Sequence, residues 1–486
     1  MTRLLVGPFN RVEGDLEVTL DIAEGRVRAA HVNAPMYRGF EQILRGKSPH
    51  DALVFVPRIC GICSVSQSVA AAHALADLAG VAMPPNGRHV TNTILAIENL
   101  ADHLTHFYLF FMPDFTRPSY AGRPWHAEAV ERFTAERGEQ VRKAIAARQR
   151  WFELLGTLAG KWPHTQSLEP GGSSRAIEPA ERTRLLARVR EFRNFLEREL
   201  FGGTALEAFD ALPDEEALWN WHAHQPGRGD FRLFLSAMLD PVLAALGPGP
   251  GRYLSYGAYP QPDGTHGFAA GLWDAALGAL QPLDTAAITE DATHAWLLDA
   301  GGPRHPRSGL TEPDADKPGA YTWNKAPRLA GQVVETGAIA RQLAAGHALV
   351  HDAVRRHGGT VFTRVLARVL ELARVVPRIE GWLQALQPGE PYCVPAALPD
   401  EGEGMGLNEA ARGALGHWLQ VRGGRIANYQ IVAPTSWNFS PRDAAGTPGA
   451  LEQALVDAPV QDGETTPVAV QHIVRSFDPC MVCTVH

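Results

Sequence analysis

The chain has 486 residues, with 45 Lys plus Arg against 53 Asp plus Glu, a formal charge of −8, and 45% hydrophobic residues. That is ample chain for a real core in one large domain or several, and acidic and basic residues mixed throughout offer no broad positive surface to nucleic acid. No apolar run approaches the roughly 18 residues of a membrane span; the most apolar helical stretch, Val361 to Pro377, carries Arg364, Arg368 and Arg374.

The N-terminus, Met1-Thr2-Arg3-Leu4-Leu5-Val6-Gly7-Pro8, has no apolar core of signal-peptide length and no twin arginine, so nothing in it directs export. Leu16, Val18, Leu20 and Ile22 alternate with more polar residues, turn at Glu24-Gly25 and resume with Val27, Ala29 and His31, which predicts a hairpin. From Ser64 to Leu78, Val65, Val69, Ala72 and Ala76 recur at helical spacing, with Gly80 as a stop. His89 to Phe111 predicts a second helix, ended by Pro113 and too apolar for a surface. Further helices are expected at Gly138 to Leu158, Pro179 to Leu200, Arg328 to Arg356 and Val361 to Leu386. A late hairpin is expected where Leu419 to Val421 and Ile426 to Val432 flank Gly423-Gly424. The Pro/Gly-rich stretches Leu246 to Arg252 and Gly301 to Gly319 read as loops within one body. The fold class expected is mainly α (α+β), with small peripheral β-hairpins on a large helical body. The expected domain spans 1–486, with an N-terminal hairpin about 1–33, a helical core about 60–390 and a C-terminal metal-binding segment about 405–486.

The five cysteines are too few for a secreted disulfide scaffold, so a reducing, cytoplasmic location is expected. Four of them form two C-x-x-C pairs near opposite ends of the chain, Cys60 with Cys63 and Cys480 with Cys483, and Cys393 stands alone. Two such pairs can supply four thiolates to a soft or borderline metal. By spacing alone a structural zinc site is the plainer reading. Two features weigh against it. The pairs lie about 417 residues apart, whereas compact zinc modules close within tens of residues, and a domain of this size has little need of a metal staple. The second pair also lies near the chain end, so the final residues must be drawn inward to complete the site.

Arg58-Ile59-Cys60-Gly61-Ile62-Cys63 and Asp478-Pro479-Cys480-Met481-Val482-Cys483-Thr484-Val485-His486 resemble the two signature motifs of the nickel-iron hydrogenase large subunit. Arg11-Val12-Glu13-Gly14, Tyr37-Arg38-Gly39-Phe40-Glu41, Lys161-Trp162-Pro163-His164, Tyr321 to Arg328, Asn428-Tyr429-Gln430 and Pro434 to Asn438 extend the likeness, in order, along most of the chain. The resemblance implies that Cys60 and Cys480 hold nickel terminally and that Cys63 and Cys483 bridge it to an iron carrying one carbon monoxide and two cyanides. Four thiolates suit a redox-active metal with an open position for hydrogen, whereas zinc has no redox chemistry to gain from them.

By the same resemblance Arg412 overhangs the open site and contacts a cyanide, where a guanidinium could stabilise negative charge or, if its acidity were perturbed, assist proton removal. Ala411 stands where proline usually precedes this arginine. Asp114 and Asp478 match the carboxylates around it. Glu13 matches a glutamate that relays protons from a terminal cysteine, and Thr435 matches a hydroxyl bonded to a cyanide. Glu41, the main-chain carbonyl of Ile431 and His486 correspond to a magnesium site.

Three departures resemble the regulatory, hydrogen-sensing branch. Gln67 stands where most members have histidine, and an amide cannot titrate near neutral pH. Ile62 and Phe110 replace the common valine and leucine on the family's gas path, where larger side chains would admit hydrogen more readily than oxygen. A sequence ending at His486 is also what a sensor is expected to show. Cys393 alone cannot hold an iron-sulfur cluster and is expected to be a buried apolar residue, so an iron-sulfur small subunit is implied. A sensor would add a histidine kinase and slow hydrogenase chemistry; an uptake hydrogenase is the alternative.

Overall fold

The computed structural model describes residues 2–299 and 301–484. Strands β1 (Thr2–Val6), β2 (Glu17–Ala23) and β3 (Arg26–Asn33) form an antiparallel sheet in sequence order. The expected hairpin is its β2–β3 half; Glu24 and Gly25 turn it with φ of 55° and 68°, the left-handed pair that a tight turn between twisted strands needs. Helix α1 (Ser64–Ala79) ends on left-handed Gly80. Helix α2 (Pro85–Thr105) is buried along nearly its whole length and continues through a π-helical turn, His106–Phe111, into a 3₁₀ turn containing Pro113. Helices α3 (Glu139–Ala159) and α4 (Pro179–Phe195) pack in succession outside α2.

The next region departs from the sequence reading. Strands β4 (Arg252–Pro260), β5 (His266–Asp274) and β6 (Ala279–Gln281) form a sheet that the periodicity conceals, because β4 is buried on both faces and shows no polar alternation. The stretch Arg328 to Arg356, expected as one helix, is four elements. After β7 (Ile288–Asp291), strand β8 (Ala326–Leu329) pairs with β7 and β9 (Glu335–Thr336) joins β4 in parallel. Only then come α5 (Ala338–Ala344) and α6 (Ala348–His357). Gly331, Gly337 and Gly346, with φ of 72°, 134° and 72°, break the helical run. Helix α7 (Val361–Ala385) matches its expectation closely.

Strands β10 (Gly402–Ala410), β11 (Gly413–Arg422) and β12 (Arg425–Val432) form an antiparallel meander, followed by α8 (Val468–Ser476). The expected late hairpin is its β11–β12 half. This meander is no peripheral ornament: its side chains share a buried cluster with all four paired cysteines. A larger core gathers residues from Val6 to Met481.

Helix α1 lies directly on the backbone of β10. A Cβ on Gly406 would sit 1.9 Å from the Ala70 carbonyl oxygen, and one on Gly404 would sit 2.1 Å from that of Ala74. Because α1 begins immediately after Cys63, this contact sets the depth of the first cysteine pair. Gly406→Ala is therefore expected to cost about 1–3 kcal/mol or more by overpacking and to impair metal loading, as read by chemical denaturation together with metal analysis.

Candidate metal centre

The sequence brings Cys60 and Cys63 to the N-terminal end of α1, and Cys480 and Cys483 to the turn following α8. Their sulfurs meet: Sγ of Cys60 lies 3.3 Å from that of Cys480, Cys63 lies 3.1 Å from Cys483, and Cys480 lies 3.1 Å from Cys483. All four are buried and within 4.8 Å of one another. Burial pushes the Cys60 and Cys480 thiols up, while hydrogen bonding among the sulfurs, with Cys480 foremost, raises Cys63 and Cys483. Without a cation the cluster retains its protons; a metal would displace them and neutralise the thiolates, so the donor set fits a thiolate-bound metal.

Several polar groups draw the chain end inward. Arg38 donates to the carbonyls of Ile59 and Val482, each one residue before a cysteine, and so ties the two loops together. Glu13 bridges to Cys480 through the main chain: its N–H reaches the Pro479 carbonyl at 3.4 Å and its carbonyl accepts from Met481 N–H at 2.7 Å. Thr435 accepts from the Cys480 N–H at 3.1 Å, which leaves its own hydroxyl hydrogen to donate. The N-terminus of α1 is capped by Glu98 of α2, which accepts from Val65 and Ser66 N–H at 2.9 Å each. Cys63, at the N-cap position, makes no side-chain cap, so its sulfur is not committed to the helix.

Arg412 occupies the tight turn between β10 and β11, where Ala410 pairs with Gly413. Its guanidinium is buried between two carboxylates, Asp102 at 2.9 Å and Asp478 at 3.2 Å. Burial alone would lower its proton affinity, but Asp478 and Asp102 hold it well above the ordinary value. The two carboxylates therefore favour the charged form of Arg412. Asp102 is pushed up to about 7, chiefly by burial, whereas Arg412 holds Asp478 down despite its burial. Asp102 is thus the member of this trio whose proton exchanges near neutrality.

Asp102 takes the place that the sequence reading gives to Asp114. Asp114 lies apart, accepting from Arg475 at 2.6 Å, from Arg117 at 2.9 Å and from Arg11. Burial would raise its carboxyl, but Arg475 and Arg11 outweigh that and hold it at about 2. Between the two aspartates the chain passes through the π-helical and 3₁₀ turns, and they meet different arginines, Asp102 meeting Arg412 and Asp114 meeting Arg475, Arg117 and Arg11. Asp478 does stand beside Arg412.

Glu41 accepts from the N–H of Ile431 at 2.7 Å and from the Thr311 hydroxyl, with Lys325 Nζ 3.7 Å away. The Ile431 N–H therefore holds the Glu41 carboxylate in place, and Lys325 is a cation beside it. His486 lies outside the described residues. Gln67 is buried against Cys483, with Nε2 3.9 Å from Sγ. Ile62 packs on the cysteine-bearing cluster. Phe110 is half-buried on the π-helical turn; its neighbour Phe111 is the ring that fills the core. Cys393, expected to be buried, is half-exposed, donating weakly to the Val394 carbonyl at 3.6 Å.

Asp102, Glu98 and Arg341, which contact Arg412, the start of α1 and the Arg412 turn respectively, are residues that the sequence reading omits. Arg341 is fully buried and pairs with Glu371 and Glu409, while donating to the carbonyls of Ala410 at 2.7 Å and Ala411 at 2.9 Å. It thereby clamps the turn carrying Arg412, a rigidity that proline at position 411 would otherwise provide. A signal was present in the sequence: Glu98, Asn99, Asp102 and His103 interrupt a helix too apolar to have a wet face.

A family model described as nickel-dependent hydrogenase matches residues 38–130 and 233–486. The chain is 30% identical to the periplasmic NiFeSe hydrogenase large subunit of Desulfomicrobium baculatum, covering all of this chain and 95% of that protein. It is 28% identical to the Hydrogenase-2 large chain of Escherichia coli, over all of this chain and 97% of the relative. Among solved structures, the Dm. baculatum NiFeSe hydrogenase superposes with a TM-score of 0.86 at 30% identity, covering both chains completely. That of D. vulgaris Hildenborough superposes with a TM-score of 0.84 at 29% identity, again with full coverage of both.

Proposed function

Because this chain belongs to the nickel-dependent hydrogenase family, as a hydrogenase large subunit, we propose that it carries the active site of a cytoplasmic hydrogen sensor. The observation that supports a hydrogenase centre is the set of four buried sulfurs with a buried guanidinium locked between two carboxylates nearby; the one that supports sensing is Gln67, an amide buried against Cys483. In this reading Cys60, Cys63, Cys480 and Cys483 would hold a nickel-iron centre carrying carbon monoxide and cyanide, and Glu41, the Ile431 carbonyl and His486 would hold magnesium. When bound, the nickel-iron centre supplies the open position at which hydrogen is split heterolytically.

The residues of the chain then have separate tasks. Arg412, its charged form favoured by both carboxylates, stabilises negative charge developing in front of it. Glu13, held alongside Cys480 by main-chain bonds, passes protons away at its carboxyl oxygens. Asp102 and Glu98, one helical turn apart on α2 and each pushed up to about 7 mainly by burial, can hold a proton on the opposite side. Thr435, with a hydroxyl hydrogen to spare, would donate to a group bound at the centre, and Gln67 donates to Cys483 without being able to carry a proton away.

Electrons must leave through a partner, since half-exposed Cys393 is the one cysteine outside the four. An iron-sulfur small subunit serves in that role, and a sensor adds a histidine kinase, in an assembly that can be a dimer of heterodimers. No helix among the described residues is long and apolar enough to cross a membrane. A relative from Rhizobium leguminosarum bv. viciae is named an uptake hydrogenase large subunit, which favours an uptake enzyme as the second reading; Gln67, Ile62 and Phe110 favour the slow, oxygen-tolerant sensor. Ile62→Val combined with Phe110→Leu is expected to raise oxygen sensitivity, measured as hydrogen-deuterium exchange remaining after aerobic exposure. Unchanged survival in air would sink the gas-path argument for sensing.

A further inference from the structure

Behind Gln67 lies a buried chain of polar groups that the chemistry above does not use. The Tyr429 hydroxyl is 2.8 Å from His417 Nδ1, His417 Nε2 is 2.9 Å from Gln67 Oε1, and Gln67 Nε2 is 3.9 Å from Cys483 Sγ. These residues come from β12, β11 and α1, and each is at most 1% exposed. His417 pairs with Ile431 across the meander, so Tyr429 is its diagonal neighbour on the same face, with the rings 5.5 Å apart.

We infer that His417 and Tyr429 are positioning residues that fix the Gln67 amide with its N–H toward the Cys483 sulfur and so lower that sulfur's electron donation to its metal. The inference rests on the reading of Cys483 as a bridging ligand. The direction of each bond follows from the donor inventory. The Tyr429 hydroxyl has His417 as its one hydrogen-bond partner among the described residues, so a buried phenol must spend its hydrogen on Nδ1. Neutral imidazole then carries its hydrogen on Nε2 and donates to Oε1 of Gln67. With its oxygen occupied, the amide presents Nε2–H to sulfur. If either ring link is cut, the amide loses the restraint that aims it and its N–H spends less time on the Cys483 sulfur.

The test is infrared spectroscopy of the purified, metal-loaded complex in wild type, His417→Leu, His417→Gln and Tyr429→Phe, with His417→Leu repeated in a Gln67→Leu background. His417→Leu and Tyr429→Phe are expected to shift the carbon monoxide and cyanide bands to lower wavenumber, because a sulfur relieved of its N–H donor pushes more charge onto iron. His417→Gln, which restores an N–H for Oε1, is expected to return the bands toward wild type, and His417→Leu is expected to add no shift once Gln67 is leucine. Bands unmoved in both single variants, or moved equally in the Gln67→Leu background, overturn the inference alone. Absence of these bands in wild type overturns the reading of the centre, and the inference with it. Tyr429→Phe keeps the ring and its packing, so it remains informative if His417→Leu fails to fold.

Discussion

Replacing Cys60 or Cys480 with alanine is expected to reduce hydrogen-deuterium exchange to background. Each substitution removes one of four sulfurs that lie within 4.8 Å of one another, and no other Cys, His, Asp or Glu joins that cluster among the described residues. A lost thiolate therefore cannot be replaced from nearby. The scaffold around the missing sulfur should persist, since Arg38, Thr435 and the Glu13 main chain hold the two loops through backbone groups and not through sulfur. The variants should thus be soluble and folded by circular dichroism yet inactive and depleted in nickel. Near-normal exchange in a nickel-replete Cys480→Ala protein would refute the ligand assignment.

Arg412→Met is expected to lower hydrogen-deuterium exchange by about 10²–10³, the usual effect of removing one preorganised electrostatic group. Methionine matches the length of the stem but leaves Asp102 and Asp478 buried without their cation, a loss worth about 3–5 kcal/mol of stability for a broken buried pair. The pH dependence has a definite sign. Without Arg412 both carboxyls bind protons more tightly in the folded state than in the unfolded one, Asp102 rising further above its present value of about 7. The stability deficit should therefore shrink as pH falls below neutrality and be fullest at alkaline pH. Arg412→Lys should recover part of the stability and less of the activity, because one ammonium cannot reproduce the fork that reaches both carboxylates. Urea denaturation at two pH values, alongside exchange assays normalised to nickel, checks both halves; a variant equal to wild type in exchange would remove Arg412 from the chemistry.

The sequence announced the metal centre more clearly than its surroundings. Two C-x-x-C pairs announced a thiolate metal site, which by spacing alone reads as zinc; the resemblance of the surrounding motifs implied nickel and iron and placed Arg412, Asp478, Thr435 and Glu13 close to them. Asp102 was not legible because choosing between it and Asp114 requires the rotational phase of α2 and of the π-helical turn after it, which residue types do not convey. The hairpins β2–β3 and β11–β12 showed because one face of each alternates with polar residues and their turns carry glycine. Strand β4 was hidden by burial on both faces, and β10 by the glycines that let α1 lie against it. The expected helix from Arg328 to Arg356 failed at three glycines whose positive φ is a tertiary requirement. Arg341, which lies inside that expected helix and was not singled out, supports the turn that bears Arg412.

The central claim is that these four cysteines hold a nickel-iron centre to which hydrogen binds. Metal analysis of the purified complex joined to infrared spectra taken with and without hydrogen tests it most directly. The account predicts nickel and iron together, one carbon monoxide band with two cyanide bands, and a shift of all three when hydrogen is admitted. Zinc in place of nickel, with no bands in that region, would contradict it.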